Sequence, residues 1–576
     1  MFRLLPAQIL LMAVGAINGI VSGFFASNFV GVEAMSAVGL YSPVTLFISA
    51  LSMMVIAGSA IMCGRFIGQN DQEKLQGTFS LNLIISVVIG AVFTLVFLFA
   101  GLFDLTGIIT NDEVVRPYFN KYLIGQAIGI IPLILGSQLP AYLIMENRNK
   151  RTFAAGLTYA VCNIILNYLF VQVMHLEAFG LALASSLGLW IFFAVKAEYF
   201  IRDKSHLRFS FKNIEWGDSK EMIKIGFPGA ASNAYQTIRG MVCNWLLTVY
   251  VGSVGISAFT AANNTLALFW ALPTGMIAVS RVLMSVSTGE EDRQTLTDIM
   301  RVMFWRFLPL QCAVSALIII LAVPLTNIYY RDPSEPVYMM TVWGFRILPL
   351  CIPLSIICMH FVCYAQISGK QFFVHLLTIL DGVVCVAGFT ALLIRVMGMN
   401  SIYVANVLNG VVTTLVIIIY AWKCSKRFPR NMDELMVIPD DFGAPEDERM
   451  DYSVRSIEEV VTISERVQEF CLSKGIDERR SYLAGLVLEE MAGNVALHGF
   501  TKDSKKHNID VRVVHKDDDV ILRIKDDCVP FSPAERQELA EDDDPVKNIG
   551  IRLVFGIAKD IQYQNVMGLN VLTIWI

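Results

Sequence analysis

Residues 489–500, with the sequence Glu-Glu-Met-Ala-Gly-Asn-Val-Ala-Leu-His-Gly-Phe, lie in a polar tail that follows the mostly apolar residues 1–425. Glu490 and Asn494 are four positions apart, so a helix would place both side chains on one face. A carboxylate can orient a water molecule or a hydroxyl group, and a neighbouring amide oxygen can bind Mg²⁺. The tail therefore contains a candidate magnesium site, and the apolar residues before it need a separate explanation.

Composition separates the two parts of the chain. The 576 residues are 55% apolar and 16% charged, which is too apolar for a soluble domain. Residues 433–576 hold 30 acidic and 17 basic residues, and this acidic tail argues against nucleic acid as a partner. The eleven cysteines lie mostly in apolar runs without paired spacing or histidine companions, so they predict neither a disulfide framework nor a zinc site.

Twelve apolar stretches are long enough to cross a bilayer as helices, since such a helix needs about 20 apolar residues. The predicted spans are residues 7–30, 41–64, 79–103, 119–145, 153–173, 178–200, 226–251, 256–281, 305–328, 339–366, 372–396 and 402–423. Basic residues concentrate in the loops that follow even-numbered spans, on the side of both termini. We therefore expect a multi-pass protein of the plasma membrane with cytoplasmic N- and C-termini.

The membrane part repeats itself. When the chain is shifted by 221 positions, residues 30–75 match residues 251–296 without a gap. The matched pairs include Gly31 with Gly252, Ser59 with Ser280, Gly68 with Gly289 and Asp71 with Asp292. Two six-span halves in one orientation predict two bundles related by an axis along the membrane normal, as in carriers that rock about a central cavity. Chance similarity between two helix pairs rich in small residues is the alternative.

Two segments of the first half resemble a known family. Phe29-Val-Gly-Val-Glu-Ala-Met-Ser-Ala-Val-Gly-Leu40 and Gly64-Arg-Phe-Ile-Gly-Gln-Asn-Asp71 resemble the first helix pair of multidrug and toxin extrusion (MATE) transporters. Asn163-x-x-x-Asn167, which leads into Phe179-Gly-Leu-Ala-Leu-Ala-Ser185, is similar as well. The resemblance covers about residues 5–424 and implies export of a small, often cationic compound, driven by inward flow of protons or sodium ions. The superfamily also contains flippases for lipid-linked oligosaccharides, so a flippase is an alternative.

The candidate coupling residues lie in the second half. Many bacterial members of the family have an acidic residue at the position that Ser22 occupies here, and a hydroxyl group does not titrate near neutral pH. Arg239 lies near the middle of the seventh span and Asp381 lies within the eleventh, where a charge is costly and by default functional. We expect both to face a shared cavity, with Asp381 as the proton or cation site; a purely structural ion pair is the alternative. Four amides are candidates for the opposite wall of this cavity, namely Gln126, Gln138, Asn163 and Asn167. The alternative is that they only form hydrogen bonds to neighbouring helices, as amides often do.

A linker and a soluble α/β domain follow the membrane part. The stretch Pro439-Asp-Asp-Phe-Gly-Ala-Pro445 breaks any continuing helix. Periodicity then predicts helices over residues 454–475, 477–499 and 549–559, and strands over residues 508–515, 518–526 and 561–576. The predicted organisation is a membrane domain over residues 1–425 with repeats at about 5–203 and 224–424, a linker over 426–451 and an ATPase-like domain over 452–576.

The last of these domains also resembles a known family. Glu490-x-x-x-Asn494-x-x-x-His498-Gly-Phe500, Lys525-Asp-Asp-Cys-Val-Pro-Phe-Ser-Pro533 and Asn548-Ile-Gly-Ile-Arg-Leu553 together resemble the GHKL ATPases, and in particular the serine kinases that act as anti-sigma factors. The resemblance implies the cofactors ATP and Mg²⁺. It also implies that Asn494 binds Mg²⁺, that Glu490 is the catalytic base, and that Asp526 accepts from the adenine amino group. Gly550 would face phosphate.

Two positions depart from that family's pattern. Cys528 and Asn548 stand where the pattern has glycine. Left-handed asparagine is tolerable, whereas a cysteine crowds the adenine pocket. The predicted fold class is an all-α polytopic membrane domain of twelve helices in two pseudo-symmetric six-helix bundles, followed by a C-terminal α/β GHKL (Bergerat-type) sandwich.

Two functions remain open. In the first, the protein is an efflux transporter in the lipid bilayer that antiports a small-molecule substrate against ions, and its cytoplasmic domain binds ATP to regulate or report transport. In the second, the membrane half is a sensor, and the tail is a serine/threonine kinase that acts on a soluble phosphoacceptor protein or dimerises. No P-loop sequence is present, which argues against an ATP-driven pump of the ABC type. Enzyme activity is left open.

Overall fold

The computed structural model describes residues 6, 25, 29–108, 113–202, 205, 207–444, 446–500, 507–516, 519–530, 549–566 and 568–576. The chain divides into two compact units. The first comprises Met1–Ile144, Arg148–Glu290 and Gln294–Val437, and the second comprises Met145–Asn147, Glu291–Arg293 and Ile438–Ile576. This division into units does not test the domain boundaries expected from the sequence, so those boundaries remain predictions.

The first unit is built from helices. They are Val32–Gly68, Gln72–Leu102, Val115–Ala127, Ile130–Met145, Asn149–Asn167, Glu177–Arg202, Asp218–Tyr250, Ser253–Phe269, Ala271–Gly289, Arg293–Val302, Leu308–Ile320, Ala322–Thr326, Pro336–Ile347, Cys351–Ile367, Gln371–Ile379, Cys385–Met397, Asn400–Ser425 and Met432–Met436. Wider π-type turns continue three of them, at Tyr168–Val173, Met303–Phe307 and Leu380–Val384. Leu105–Ile108 and Leu348–Leu350 are short 3₁₀ helices.

Nine helices among the described residues are long and apolar enough to cross a membrane, and ten if Val115–Ala127 and Ile130–Met145 count as one span bent by 49°. The first predicted span, residues 7–30, lies almost entirely outside the described residues. The seventh predicted span lies in Asp218–Tyr250, which is not among the nine, because charged and amide side chains interrupt its apolar sequence. The eighth predicted span is wrong as one continuous helix, because the structure interrupts it at Trp270.

The two halves of the first unit meet at positions that the sequence repeat equates. Gly64 packs against Ser285, and Gly68 packs against Gly289. In each pair the two residues are 221 positions apart, which is the shift of the repeat. A Cβ atom on Gly68 or on Gly289 would overlap backbone atoms of the opposite helix. Repeat-related residues contact each other only close to the axis that relates the halves, so these contacts support two pseudo-symmetric halves.

A pair of buried serines repeats the same relationship. Ser59 and Ser280, which the repeat equates, are both fully buried. The hydroxyl of Tyr142 donates to Oγ of Ser59 at 3.0 Å. In the second half, Oγ of Ser280 and Nε2 of His360 form a hydrogen bond, also of 3.0 Å. Each half therefore joins the same serine position to a polar side chain of the span two further along the chain.

The second unit contains an antiparallel sheet of five strands. They are β1 (Arg449–Val454), β2 (Ile509–Lys516), β3 (Asp519–Asp526), β4 (Asp560–Val566) and β5 (Leu569–Trp575), in the order β1-β2-β3-β5-β4. The helices are α1 (Ile457–Ser473), α2 (Glu478–Asn494) and α3 (Ile549–Ile557), and a π-type turn at Val495–Gly499 continues α2. β1 occupies residues that we expected in the linker and in the first helix, so those boundaries are corrected.

Side-chain caps mark where α1 and α2 begin. Oγ of Ser456 accepts from the backbone N–H of Glu459, and the Glu459 carboxylate accepts from the backbone N–H of Arg455 at 2.7 Å. This arrangement is similar to a capping box, with the carboxylate bonded to the N–H of the residue before the N-cap. Asp477 caps α2 by accepting from the backbone N–H of Arg480 at 3.0 Å. Because the caps fix both starting points, they also fix which faces of the two helices meet the sheet.

The core of the second unit lies between the helices and one face of the sheet. Alternate residues of β2 and β3 are buried, as a strand with one covered face requires. The buried apolar residues of these elements are Val460, Ile463, Val467, Val487, Leu488, Met491, Ile509, Val511, Val513, Val520, Leu522 and Ile524. This packing positions the end of β3 and the polar side of α2 beside the same edge of the core.

Candidate functional sites

Asp526 is a buried carboxylate at the end of β3. The strand register pairs it with Asn570 of β5, and Nδ2 of Asn570 donates to Oδ1 of Asp526 at 2.7 Å. The backbone N–H of Cys528 donates to the same oxygen at 2.9 Å. Because one bond comes from β5 and the other from the segment that follows β3, the carboxylate is a fixed hydrogen-bond acceptor.

The surroundings of Asp526 alter its titration. Burial raises the pKa of Asp526 above its ordinary value of 3.8, because an ionised carboxylate loses hydration inside the domain. Hydrogen bonds from Asn570 and from the backbone and thiol of Cys528 act in the opposite direction and limit the rise in pKa. Asn570 was not predicted from the sequence, since only the register of β3 with β5 brings it beside Asp526.

Glu490 lies against the start of α3. Gly550 is the second residue of that helix, and a Cβ atom there would overlap Oε2 of Glu490. A larger residue at position 550 would make the Glu490 carboxylate move from this position. The structure therefore brings together two residues that are 60 positions apart in the chain and that the sequence assigned to the same site.

Asn494 ends α2, one turn after Glu490, and is half-buried. The following π-type turn ends at Gly499, where a Cβ atom would lie 3.0 Å from Sγ of Cys528. The segment from Glu490 to Gly499 thus contacts α3 on one side and the residues after β3 on the other. Asn494 lies between these two contacts along the chain, and Glu490 and Gly550 are two predicted nucleotide residues that the structure brings into contact.

These residues fit ATP and Mg²⁺. Gly550 has no side chain, so the first turn of α3 is open beside Glu490. Backbone N–H groups at the start of a helix can bind phosphate. The amide oxygen of Asn494 would hold Mg²⁺, and Asp526 would accept from the adenine amino group. Bound ATP would supply a transferable phosphoryl group beside Glu490. Asn548, assigned to the same site, lies outside the described residues.

Asp381 and Arg239 lie close together in the first unit, but their side chains form no ion pair. Nη1 of Arg239 donates to the backbone carbonyl oxygen of Asp381 at 3.4 Å. Oδ1 of Asp381 instead accepts from Nδ2 of Asn409 at 2.8 Å. Asp381 lies in the π-type turn Leu380–Val384, and such turns occur frequently at functional sites. Asn409 was missed, because an isolated asparagine in an apolar span carries no specific signal.

The four amides that we predicted for the cavity wall are buried in the described structure. Gln138 belongs to a polar network in which its side chain bonds Asn82 at 3.1 Å and Ser52 at 2.8 Å. Nδ2 of Asn167 donates to Oδ1 of Asn163 at 3.0 Å. Gln126 bonds the hydroxyl of Tyr122. The bonds of Gln138 join neighbouring helices, whereas those of Asn167 and Gln126 lie within one helix, and contact of the four amides with a solute stays a prediction.

A buried cation of the first half was not predicted. Lys196 is 0% exposed, its ammonium donates to the carbonyl oxygen of Gly136, and it lies 3.2 Å from the ring centroid of Phe192. Lysines near the end of a span usually extend to the interface, and Lys196 is near the end of the sixth predicted span. Its sequence position therefore carried no sign of burial.

Helices Val32–Gly68 and Asp218–Tyr250 approach each other closely at one end. A Cβ atom on Gly58 would overlap the backbone of Met222, and one on Gly226 would overlap the backbone of Met54. Backbone contact of this kind is possible only where small residues face each other. The two halves are therefore closed near these residues.

Glycines nearer the other ends of the same two helices make no such backbone contact with described residues. A Cβ atom on Gly229 would lie 3.9 Å from the nearest atom of Ala57. At Gly39 and Gly240, no described atom would lie within 4 Å of such a Cβ atom. The closed end adjoins the basic residues Arg65 and Lys224.

Comparison with protein families accounts for both units. A family model for MatE proteins matches residues 9–169 and 228–386, which together exceed half of the chain. The chain belongs to the MatE family. A model for the histidine kinase-like ATPase domain matches residues 455–576. The two resemblances noted in the sequence are therefore confirmed.

Relatives of this MatE protein are distant. It is 23% identical over 246 residues to a probable multidrug resistance protein NorM of Bacillus licheniformis, covering 41% of this chain and 54% of that protein. It is 23% identical over 260 residues to the multidrug export protein MepA of Staphylococcus haemolyticus, covering 43% and 56%. The alignments thus span just over half the length of these relatives.

Solved structures show the same membrane fold. A MATE protein in complex with MaL6 matches with a TM-score of 0.67 and 21% identity, covering 72% of this chain and 93% of that chain. An outward-facing multidrug resistance transporter of the family matches with a TM-score of 0.66, 20% identity and the same coverage. These matches and the second unit's antiparallel sheet confirm the predicted fold class, a multi-pass helical membrane domain followed by a small GHKL-like domain.

Proposed function

We propose that this MatE protein is a secondary exporter of small molecules that works by alternating access, and that its C-terminal domain binds ATP and regulates or reports transport. The NorM and MepA relatives are named for multidrug resistance and export. The proposed location is the plasma membrane, with both termini in the cytoplasm, where ATP is available to the second unit.

The observation that carries the transport proposal is the uneven contact between the two halves. Helices Val32–Gly68 and Asp218–Tyr250 are in backbone contact at one end, and the glycines nearer their other ends make no such contact with described residues. Alternating access requires that this contact opens while the other end closes. Packing through glycines suits such a movement, because backbone surfaces without side chains separate without rearranging side chains.

Asp381 is the proposed proton or cation site. It is the acidic side chain that lies deep in the eleventh predicted span, where a charge needs a functional or structural reason. Its carboxylate accepts from Asn409, and the guanidinium of Arg239 is bonded to its backbone carbonyl. A proton or Na⁺ on Asp381 would change the charge next to Arg239 and so couple ion binding to the arrangement of these helices.

Transport by purified protein in proteoliposomes tests the exporter proposal. An imposed pH or sodium gradient should drive flux of a cationic dye, with ATP varied independently inside and outside the vesicles. We expect flux to follow the gradient and ATP only to change its rate. Flux that strictly requires ATP hydrolysis would contradict the assignment of ATP to regulation.

Substitution of Gly68 by leucine tests the closed contact. The new side chain would overlap the backbone at Val286, so the two halves could not close at this end, and we expect gradient-driven flux to fall to a small fraction of the wild-type rate. Gly39→Leu in the same helix is the matched control, because no described atom lies near that position. Equal flux in the two variants, at equal yield of folded protein, would remove the contact from the transport cycle.

Gly550→Val tests nucleotide binding in the second unit. The added side chain would displace Glu490 and obstruct the approach of phosphate to α3, so we expect ATP affinity to fall roughly tenfold, or about 1.4 kcal/mol. Gly556→Val lies on the same helix with no described atom within 4 Å of its Cβ, and it should bind ATP like the wild type. Calorimetric titration of full-length protein measures both, and equal affinities would argue against a phosphate-facing α3.

Protein phosphorylation is the second candidate function, and the contact of Glu490 with the start of α3 favours it. A carboxylate in that position can act as a base toward the hydroxyl group of a partner protein. Glu490→Ala separates the candidates. It should leave gradient-driven export intact if ATP is regulatory, and it should abolish phosphorylation of a captured partner if the domain is a kinase.

A further inference from the structure

Three potential metal ligands meet beside Asp526, and two of them, Asp527 and Cys528, lie in the segment 525–533 that resembles the GHKL ATPases. One ligand atom each from His507, Asp527 and Cys528 lies within 4.8 Å of the other two. Nδ1 of His507 and Oδ1 of Asp527 form a hydrogen bond of 2.7 Å. The His507 side chain is 2% exposed and that of Asp527 is 28% exposed, so the group opens to solvent on the aspartate side.

The three side chains are held by their surroundings. The ring of Phe500 stacks on His507 at a centroid distance of 5.9 Å and an angle of 23°. Sγ of Cys528 lies against Gly499, which has no side chain to displace it. His507 precedes β2 and Cys528 follows β3. The first residue of β2, Ile509, pairs with the last residue of β3, Asp526. The ligand positions are therefore set by the sheet.

We propose that His507, Asp527 and Cys528 form a binding site for a borderline-soft divalent cation of the Zn²⁺ type. Imidazole nitrogen, thiolate sulfur and carboxylate oxygen are the ligands that Zn²⁺ combines, whereas Mg²⁺ and Ca²⁺ prefer oxygen alone. Ligand bonds of about 2.0–2.3 Å place the ligand atoms of a tetrahedral ion roughly 3.3–3.6 Å apart. The ligand atoms of the observed group lie within 4.8 Å of one another, and a bound ion would draw them together.

Binding of the cation displaces the thiol proton of Cys528 to solvent. The thiolate, the Asp527 carboxylate and the unprotonated ring nitrogen of a neutral His507 then bind the ion. Three protein ligands leave a fourth position for water. The spacing of the cysteines did not predict this site, because the ligands are separated in the chain and only the pairing of β2 with β3 brings them together.

The site is linked to Asp526 through the backbone of Cys528. The N–H of Cys528 donates to Asp526, and its carbonyl oxygen accepts from Asn570 at 3.2 Å. An ion on Sγ of Cys528 would hold this backbone, and with it the N–H that bonds Asp526 and the carbonyl oxygen that bonds Asn570. Zinc should therefore tighten adenine nucleotide binding, a consequence that rests on the proposed ATP-binding function, and bound nucleotide should tighten zinc binding by the same factor.

Metal titration of the full-length protein tests the site without nucleotide. Metal-free protein in detergent is titrated with Zn²⁺ against a chromophoric chelator, and with Co²⁺, whose thiolate complexes absorb by charge transfer. We expect the wild type to bind one ion more than Cys528→Ser or His507→Asn, and both variants to lose the cobalt–thiolate band. Equal stoichiometry and equal absorption in wild type and Cys528→Ser would overturn the proposal.

Matched variants control for the other cysteines and histidines. Cys471→Ser removes a buried thiol of the same unit, and His515→Asn removes the β2 histidine that pairs with Glu448. Both should keep the extra ion. If Cys528→Ser unfolds at a clearly lower temperature without metal, Cys528→Gly replaces it, since the resemblance places glycine at this position. Loss of the extra ion from both control variants would also overturn the site.

Nucleotide affinity is then compared between metal-free protein and zinc-loaded protein from which excess metal has been removed. The wild type should bind ATP several-fold more tightly with zinc, and Cys528→Ser should not respond. An unchanged affinity in zinc-loaded wild type overturns the link to Asp526. If the protein binds no nucleotide under either condition, the proposed ATP function fails, while the zinc titration still decides the metal site.

Discussion

The two units each contain an aspartate bonded to an asparagine, and the pairs differ in how firmly they are held. In the second unit, Asp526 accepts from Asn570 of a neighbouring strand at 2.7 Å and from a backbone N–H at 2.9 Å. In the first unit, Asp381 accepts from Asn409 at 2.8 Å, and it lies on a π-type turn within a helix. The same chemical pair is fixed by a sheet in one case and carried by an irregular helix in the other.

This difference matches the two proposed roles. A nucleotide site needs an acceptor that is already in place before the ligand arrives, because preorganisation lowers the cost of binding. A coupling site needs a charge whose surroundings change during the cycle, and a π-type turn is a point where a helix can rearrange. Substitutions at both aspartates can therefore separate transport from nucleotide binding within one chain.

Asp381→Asn should have the largest effect. The amide keeps the shape of the side chain but cannot bind a proton or carry a charge, so we expect gradient-driven flux in proteoliposomes to fall to that of empty vesicles. Binding of ATP to the same preparation should be unchanged. Asp298→Asn, at an exposed residue paired with Arg301, is the control and should transport normally. Sustained flux in Asp381→Asn would assign the pair to structure alone.

Asp526→Asn should act on the other unit. Removal of a charged acceptor costs about 1.5–3 kcal/mol, so ATP affinity should fall roughly 10- to 150-fold in a calorimetric titration. Gradient-driven flux without ATP should remain. Asp519→Asn, at the opposite end of β3 and paired with Lys559, should bind ATP like the wild type. If the Asp519 variant loses as much affinity as the Asp526 variant, the adenine assignment is wrong.

The smallest effect concerns the stability of the second unit against pH. The pKa of Asp526 in the folded protein is raised, so the folded state binds this proton more tightly than the unfolded state. The carboxylate therefore stabilises the fold when it is protonated. The free energy of unfolding should fall as the pH rises from the ordinary pKa of 3.8 through the raised folded value.

Hydrogen exchange of β2 and β3 peptides in the full-length protein measures this dependence. Asp526→Asn lacks the titrating group, so its exchange should lose that part of the pH dependence after correction for the intrinsic exchange rate. A wild type that becomes more stable over the same pH interval, relative to the variant, would show that the hydrogen bonds from Asn570 and Cys528 outweigh the effect of burial.

Some structural features were present in the sequence as local signals. β1 was missed although Met450, Tyr452 and Val454 alternate with polar residues, because this short strand lies directly before a strongly periodic helix. The interruption at Trp270 was missed because hydropathy measures how apolar a stretch is and not whether its helix is continuous. In both cases the local signal was weaker than that of a neighbouring element.

Other features had no local signal. Asn570, Asn409 and His507 are ordinary polar residues until pairing brings them beside Asp526, Asp381 and Cys528. Lys196 lies near the end of a predicted span, where a lysine side chain usually extends to the interface, but its side chain is fully buried. Each of these contacts joins residues that are distant in the chain, and one sequence contains no measure of that proximity.

The sequence by itself determined the membrane class, the internal repeat and the order of the nucleotide motif, because hydropathy, repeated spacing and motif order are properties of neighbouring residues. Tertiary structure alone decided which carboxylates are bonded to which amides, where the two halves touch, and that a histidine, an aspartate and a cysteine share one edge of the sheet. These outcomes depend on strand register and helix packing, and both are set by the whole core.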